Sequence, residues 1–244
     1  MTEDAIPRRR FLVGAGAAGT AVAAALAPTL PQQAEAQTQA PQTPAPATAA
    51  NSDPDALLTL TATEAAFFTA AVDTLIPADE LSPSASECGV TIFIDRQLAG
   101  AWGGGAKMYR QGPFRKGTPT QGYQLPMTPR EYFAAGIVAT NAWTNKTNGK
   151  DFDRLSAKER EEVLKTLDQG KAELAAFDGK QFFEALHTIT MEGFFSDPIY
   201  GGNRNKAGWK LVGYPGLPAV YSTLIEEYRG KRYQVEPQSI ADFS

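Results

Sequence analysis

Thr61-Ala62-Thr63-Glu64-Ala65-Ala66-Phe67-Phe68-Thr69-Ala70-Ala71-Val72-Asp73-Thr74-Leu75-Ile76-Pro77 is the stretch whose reading sets the fold class. Thr61 and Glu64 stand at the spacing of a capping box, in which each side chain satisfies a free backbone N–H at a helix start. Behind them Ala65, Phe68, Val72, Leu75 and Ile76 recur at helical steps and predict one apolar face. Pro77 cannot continue a helix and marks its end.

The same pattern recurs along the chain. Thr128-Pro129-Arg130-Glu131 is a second capping box with proline at the first helical position, followed by Tyr132, Ile137, Val138 and Trp143. Ser156-Ala157-Lys158-Glu159 is a third and leads into Val163, Leu164 and Leu167. Asp178 caps a fourth helix, in which Phe182, Phe183, Leu186 and Ile189 recur at three- and four-residue steps. Shorter helical patterns run from about 85 to 98 and from about 219 to 228. Thr91–Ile94 is the one alternating stretch, and it fits a helix equally well. The expected fold is therefore mainly α: a single helical domain over 55–244, with long ordered Gly/Pro/aromatic loops at about 99–127 and 194–218.

Composition narrows the function classes. The chain of 244 residues carries 23 Lys+Arg against 27 Asp+Glu, with one Cys and one His. A net charge of -4 offers no electrostatic footprint for a phosphate backbone, so no nucleic-acid partner is expected. One Cys and one His exclude a zinc finger, a two-cysteine redox centre or a His-rich metal site within the chain. Any Ser-His-Asp chemistry would have to use His187, which sits alone on the fourth predicted helix; such a residue is more often packed or surface than a ligand. Glu226 and Glu227 are adjacent and do not face each other on a helix, which disfavours a paired-carboxylate site.

The N-terminus reads as an address. Arg8-Arg9-Arg10-Phe11-Leu12 precedes a weakly hydrophobic Ala/Gly stretch, and Ala34-Glu35-Ala36 is a small-x-small cleavage site. Arg8, Arg9, Phe11 and Leu12 resemble the twin-arginine export signal, so residues 1–36 are expected to be a signal peptide cut after Ala36, and the mature chain periplasmic. Gly14-Ala15-Gly16-Ala17-Ala18-Gly19 matches a dinucleotide fingerprint in letters only. It follows three arginines and precedes a Pro/Gln/Ala run, whereas the fingerprint needs a strand before it and a helix after it. Residues 37–54, rich in Gln, Thr, Ala and Pro, read as a flexible linker.

Both long loops are aromatic. The first holds Trp102, Tyr109, Phe114 and Tyr123, with Lys107, Arg110, Arg115 and Lys116 as either an anion site or, preferably, a solvated basic rim. The second reads Phe194-Phe195-Ser196-Asp197-Pro198-Ile199-Tyr200-Gly201-Gly202-Asn203-Arg204, then Gly208-Trp209-Lys210 and Gly213-Tyr214-Pro215-Gly216. Asp197-Pro198 sets a turn, and Gly201-Gly202-Asn203 allows left-handed backbone. The rings either seal the protein's own core or form an interface, since exposed aromatics beside arginine are what interface cores use. Cys88, the lone thiol of an exported chain, is either bridged to another subunit or buried and inert.

This second loop closely resembles the signature of gluconate 2-dehydrogenase subunit 3, the small subunit of periplasmic flavin-dependent sugar and alditol dehydrogenases. The likeness extends to Leu60-Thr61-Ala62-x-Glu64, Leu75-Ile76-Pro77 and Gly89 through Leu98, and so spans roughly 55–230. It implies a small subunit with no catalytic residue, cofactor or metal of its own. FAD would sit in a large flavoprotein subunit of the glucose-methanol-choline type, and haem in a multihaem cytochrome c subunit at the membrane. The small subunit would assist folding of the large one and its co-export through the twin-arginine translocase. Carried over, Phe194, Phe195, Tyr200, Gly201, Gly202, Asn203, Arg204, Trp209 and Tyr214 are expected to face that partner or to form the loop's scaffold. The rival expectations are a stand-alone protein holding a cofactor in the Trp102–Tyr123 loop, and a carbohydrate-binding module using its aromatic loops.

Overall fold

Each of the three capping boxes opens a helix in the computed structural model, which describes residue 53 and residues 55–115, 117–175, 177–218 and 220–243. In α1 (Ala62–Leu75) the Thr61 side chain accepts from the Glu64 N–H while Glu64 Oε2 accepts from the Thr61 N–H at 2.8 Å. Thr128 and Glu131 do the same for α3 (Pro129–Asn148), and Ser156 and Glu159 for α4 (Ala157–Asp168). These caps hold the carboxyls of Glu131 and Glu159 below the usual carboxylate range, because hydrogen bonds from Thr128 and Ser156 favour the charged form. Asp178 accepts from the Gln181 N–H and opens α5 (Gly179–Phe195).

Helix α2 (Val90–Ala99) begins behind Gly89, and α6 (Ala207–Val212) is short. The described residues contain no strand; Gly216 and Gln238 form one isolated parallel bridge. Helix α5 is the central element and packs against α2, α3 and α4, while α1 lies against α2, α4 and the 3-10 turn Phe152–Arg154. Their meeting point is an aromatic core. The Phe67 ring lies 4.8 Å from Phe152, and Phe68 lies 5.7 Å from Phe133. Tyr132 is in contact with Phe177 at 5.0 Å and with Phe182 at 6.3 Å. Burying a large ring removes roughly 150–250 Å² from water, so this cluster is the main cohesive element of the domain.

Several expectations need correction. Phe67, absent from the face read in the sequence, is fully buried, whereas Leu75 and Ile76 at the C-terminal end of α1 are only half-buried. On α3 Val138 is 69% exposed and Phe133 takes the inward position. Residues 85–89 are turns, so the helical pattern from 85 to 98 yields a helix only from Val90. The pattern over 219–228 forms a 3-10 turn at Ser222–Leu224 followed by turns. Val220 and Ile225 there are mostly exposed, and a short helix that buries so few of its apolar residues is marginal in water. The stretch 194–218 is not a loop throughout, since α5 runs to Phe195 and α6 lies within it. The signal-peptide reading on Arg8, Arg9, Phe11, Leu12, Ala34 and Ala36 lies outside the described residues, as does the linker except for Asp53.

Candidate partner-contact surface

The signature stretch leaves α5 at Ser196 and folds back over the helix end by side-chain capping. Asp197 Oδ1 accepts from the Ile199 N–H at 3.0 Å and starts the 3-10 turn Pro198–Tyr200. Its other oxygen, Oδ2, accepts from the Ile240 N–H at 2.9 Å and draws the C-terminal segment onto the loop. Gly201 then takes φ 97, a left-handed value that disfavours any side chain. Gly202 is required for a different reason: a Cβ there would lie 2.2 Å from the Gly193 carbonyl oxygen of α5.

Asn203 ties the turn together. It is fully buried at φ 48, its Nδ2 donates to the Ser196 carbonyl at 2.8 Å, and its Oδ1 accepts from the Gly208 N–H at 2.8 Å. The residue at the N-cap position of α6 is Lys206, which has no acceptor to offer; Asn203 caps that helix from three residues upstream. The Arg204 N–H donates to the Cys88 carbonyl at 3.0 Å, joining the loop to the turn before α2, and its guanidinium pairs with Asp55. Trp209, 6% exposed, donates through Nε1 to the Phe195 carbonyl at 2.7 Å and meets the Tyr214 ring edge-on at 5.2 Å.

The C-terminal segment completes the clasp. The Leu217 N–H donates to the Gln238 carbonyl at 2.8 Å and the Gln238 N–H to the Pro215 carbonyl at 3.0 Å. Lys206 Nζ reaches Asp242 Oδ2 at 2.6 Å and, hydrogen-bonded to it, holds that carboxyl below its ordinary range.

The candidate residues therefore divide. Phe194, Gly202, Asn203 and Trp209 are buried, which is the scaffold-forming one of the two expected roles. Phe195, Gly201 and Arg204 are half-buried. Tyr200 and Tyr214 are exposed, and Ile199, Ile240 and Phe243 add apolar surface on the 3-10 turns Pro198–Tyr200 and Ile240–Phe243, which pack together around Asp197. Cys88 is 1% exposed with Sγ 3.9 Å from the Pro83 carbonyl oxygen, and burial, with Glu87 adding, pushes its thiol up. Such burial is what the inert alternative expects.

The first loop is different. Lys107, Arg110 and Arg115 are exposed, as a basic rim requires, while Tyr123 stacks on Tyr132 with ring centroids 3.9 Å apart. His187 is exposed and stacks on Phe183 at 6.2 Å. Among the described residues no group of three His, Cys, Asp or Glu is placed to hold a metal ion, and no helix is long and apolar enough to cross a membrane.

Asp95 was missed in the sequence. It is fully buried and its carboxylate accepts from three successive backbone N–H groups, Leu58 (2.6 Å), Thr59 (2.9 Å) and Leu60 (2.8 Å). This pins the segment before α1 against α2. The available signal was an acid inside Val90-Thr91-Ile92-Phe93-Ile94-Asp95, an otherwise apolar turn, where a buried carboxylate demands donors.

Comparison with curated proteins and with solved structures yields no match. The family model for gluconate 2-dehydrogenase subunit 3 matches residues 62–216, from the first residue of α1 to the glycine that bridges to Gln238. That span holds the aromatic core and the whole Asn203-centred loop, and this chain belongs to the gluconate 2-dehydrogenase subunit 3 family.

Proposed function

We propose that this chain is the non-catalytic small subunit of a periplasmic FAD-dependent sugar or gluconate dehydrogenase complex. It assists folding of a flavoprotein large subunit of the glucose-methanol-choline type and its co-export by the twin-arginine route. A multihaem cytochrome c subunit at the membrane then receives the electrons. The observation that carries the reading is the family match across 62–216.

Two further features support it. The polar groups of Asn203 and Trp209 in the loop are consumed by internal hydrogen bonds, as a scaffold demands, while Tyr200, Tyr214 and Ile199 stay outside as candidate contacts. An obligate partner interface uses apolar and aromatic surface of this kind. The Arg8-Arg9 pair supplies the address for a partner that has none.

The test is to co-express the chain with the dehydrogenase subunit that co-purifies with it, with Arg8 and Arg9 both changed to Lys. Dehydrogenase activity should fall in the periplasmic fraction and accumulate in the cytoplasm. Undiminished periplasmic activity refutes co-export.

A further inference from the structure

Between the first long loop and α5 lies a cleft of about 330 Å³. Its floor is aromatic, made by Trp102, Tyr123 and Phe133. Its wall is one face of α5, where Glu184, Thr188 and Glu192 follow at four-residue steps. The loop is held against α5 by Gln181, whose Nε2 donates to the Gly122 carbonyl at 3.1 Å, and against α3 by the stacking of Tyr123 on Tyr132.

The charge of the cleft is one-sided. Two carboxylates line it and no basic side chain does among the described residues. Neither Glu184 nor Glu192 is in an ion pair with a described residue. Both side chains are exposed along the edge of the cleft, and partial desolvation there raises the Glu192 carboxyl above its ordinary range. Behind Tyr123, the buried Tyr132 hydroxyl also lacks a hydrogen-bond partner. A cation over an aromatic face gains from the ring quadrupole, and an opposite charge beside it adds to that gain. The two acids are eight residues apart, about 12 Å along the helix axis at 1.5 Å per residue. A ligand with an apolar stem can thus lie on the rings while its head meets one carboxylate.

We propose that this cleft binds an organic cation on an aliphatic stem, the chemistry shared by an arginine or lysine side chain and a free alkylamine. A neutral sugar would stack on Trp102 but leave both carboxylates without a counter-charge. The site is independent of the loop around Asn203 and of the proposed export role.

The experiment titrates the full-length chain with n-butylguanidinium and with n-butylurea, its neutral isostere. The Trp102 indole N–H signal, assigned by its loss in Trp102→Phe, is followed by NMR. A saturable shift with butylguanidinium and none with butylurea is expected. Glu184→Gln combined with Glu192→Gln should weaken binding about tenfold or more, with the near-ultraviolet circular dichroism unchanged. Equal response to the urea, unchanged affinity in the double variant, or a shift with D-glucose but not with butylguanidinium overturns the proposal. A second arm separates the sources of the cation. If a partner's basic side chain fills the cleft, the purified assembly no longer responds to butylguanidinium and the double variant recovers less assembly. If a free amine is the ligand, the assembly responds like the free chain and the double variant assembles normally.

Discussion

Replacing Asn203 by Ala tests whether the signature loop is built for the chain's own stability. The side chain is fully buried and satisfies two backbone groups, the Ser196 carbonyl and the Gly208 N–H, both at 2.8 Å. Alanine leaves both without a partner, at roughly 1–3 kcal/mol each for a buried group. It also places a residue less tolerant of left-handed backbone at φ 48, which adds up to about 1 kcal/mol. The expected loss is about 3–5 kcal/mol, part of each group's cost being recovered by relaxation of the loop. For a domain of this size each kcal/mol lowers Tm by about 2–4 °C, so a fall of roughly 6–20 °C follows. Differential scanning calorimetry of the isolated chain reads this directly, without any partner. Asn203→Gly relieves the backbone strain and loses only the bonds, and should fall between wild type and Ala. An Ala variant that melts within about 2 °C of wild type but fails to assemble with its partner would refute the reasoning: the side chain would then serve the interface.

Tyr132 carries a pH prediction. Burial, with Asp178, Tyr123 and Glu184 adding, pushes its phenol above the ordinary 10.0, while Tyr123 is pushed up to about 12. The folded state therefore holds protons that the unfolded state releases, so these groups leave stability intact below about pH 10 and reduce it as pH rises further, by up to about 1.4 kcal/mol per pH unit per group. Because its hydroxyl has no partner, Tyr132→Phe should be neutral or stabilising by up to about 1 kcal/mol at pH 8 and should flatten the alkaline loss. Urea unfolding at pH 8, 10 and 11 measures both, and an unchanged slope in the Phe variant contradicts the assignment. Cys88, buried with its thiol pushed up, should react with a disulfide reagent at pH 8 at least about tenfold more slowly in the native chain than in denaturant. Rapid native labelling would contradict the buried, inert reading and favour the inter-subunit bridge.

Local chemistry wrote the helix starts into the sequence. Thr61 with Glu64, Thr128 with Glu131 and Ser156 with Glu159 act across three residues, so their spacing alone determined where α1, α3 and α4 begin. The order of residues over 194–216 likewise determined the family without any coordinates. Which side chains of that order face inward was decided only by the fold. Trp209 can be buried because the Phe195 carbonyl, 2.7 Å away, satisfies its Nε1–H, and Gly202 must be glycine because the Gly193 carbonyl passes beside it. Asp95 holds Leu58 through Leu60 across more than thirty residues, and the cleft exists because Gln181 meets Gly122 across fifty-nine. The stretch 220–228 has a helical pattern, yet Val220 and Ile225 stay mostly exposed and it forms a 3-10 turn followed by turns. Capping depends on neighbours along the chain, whereas burial depends on which distant segment arrives, and only the packed structure settles that.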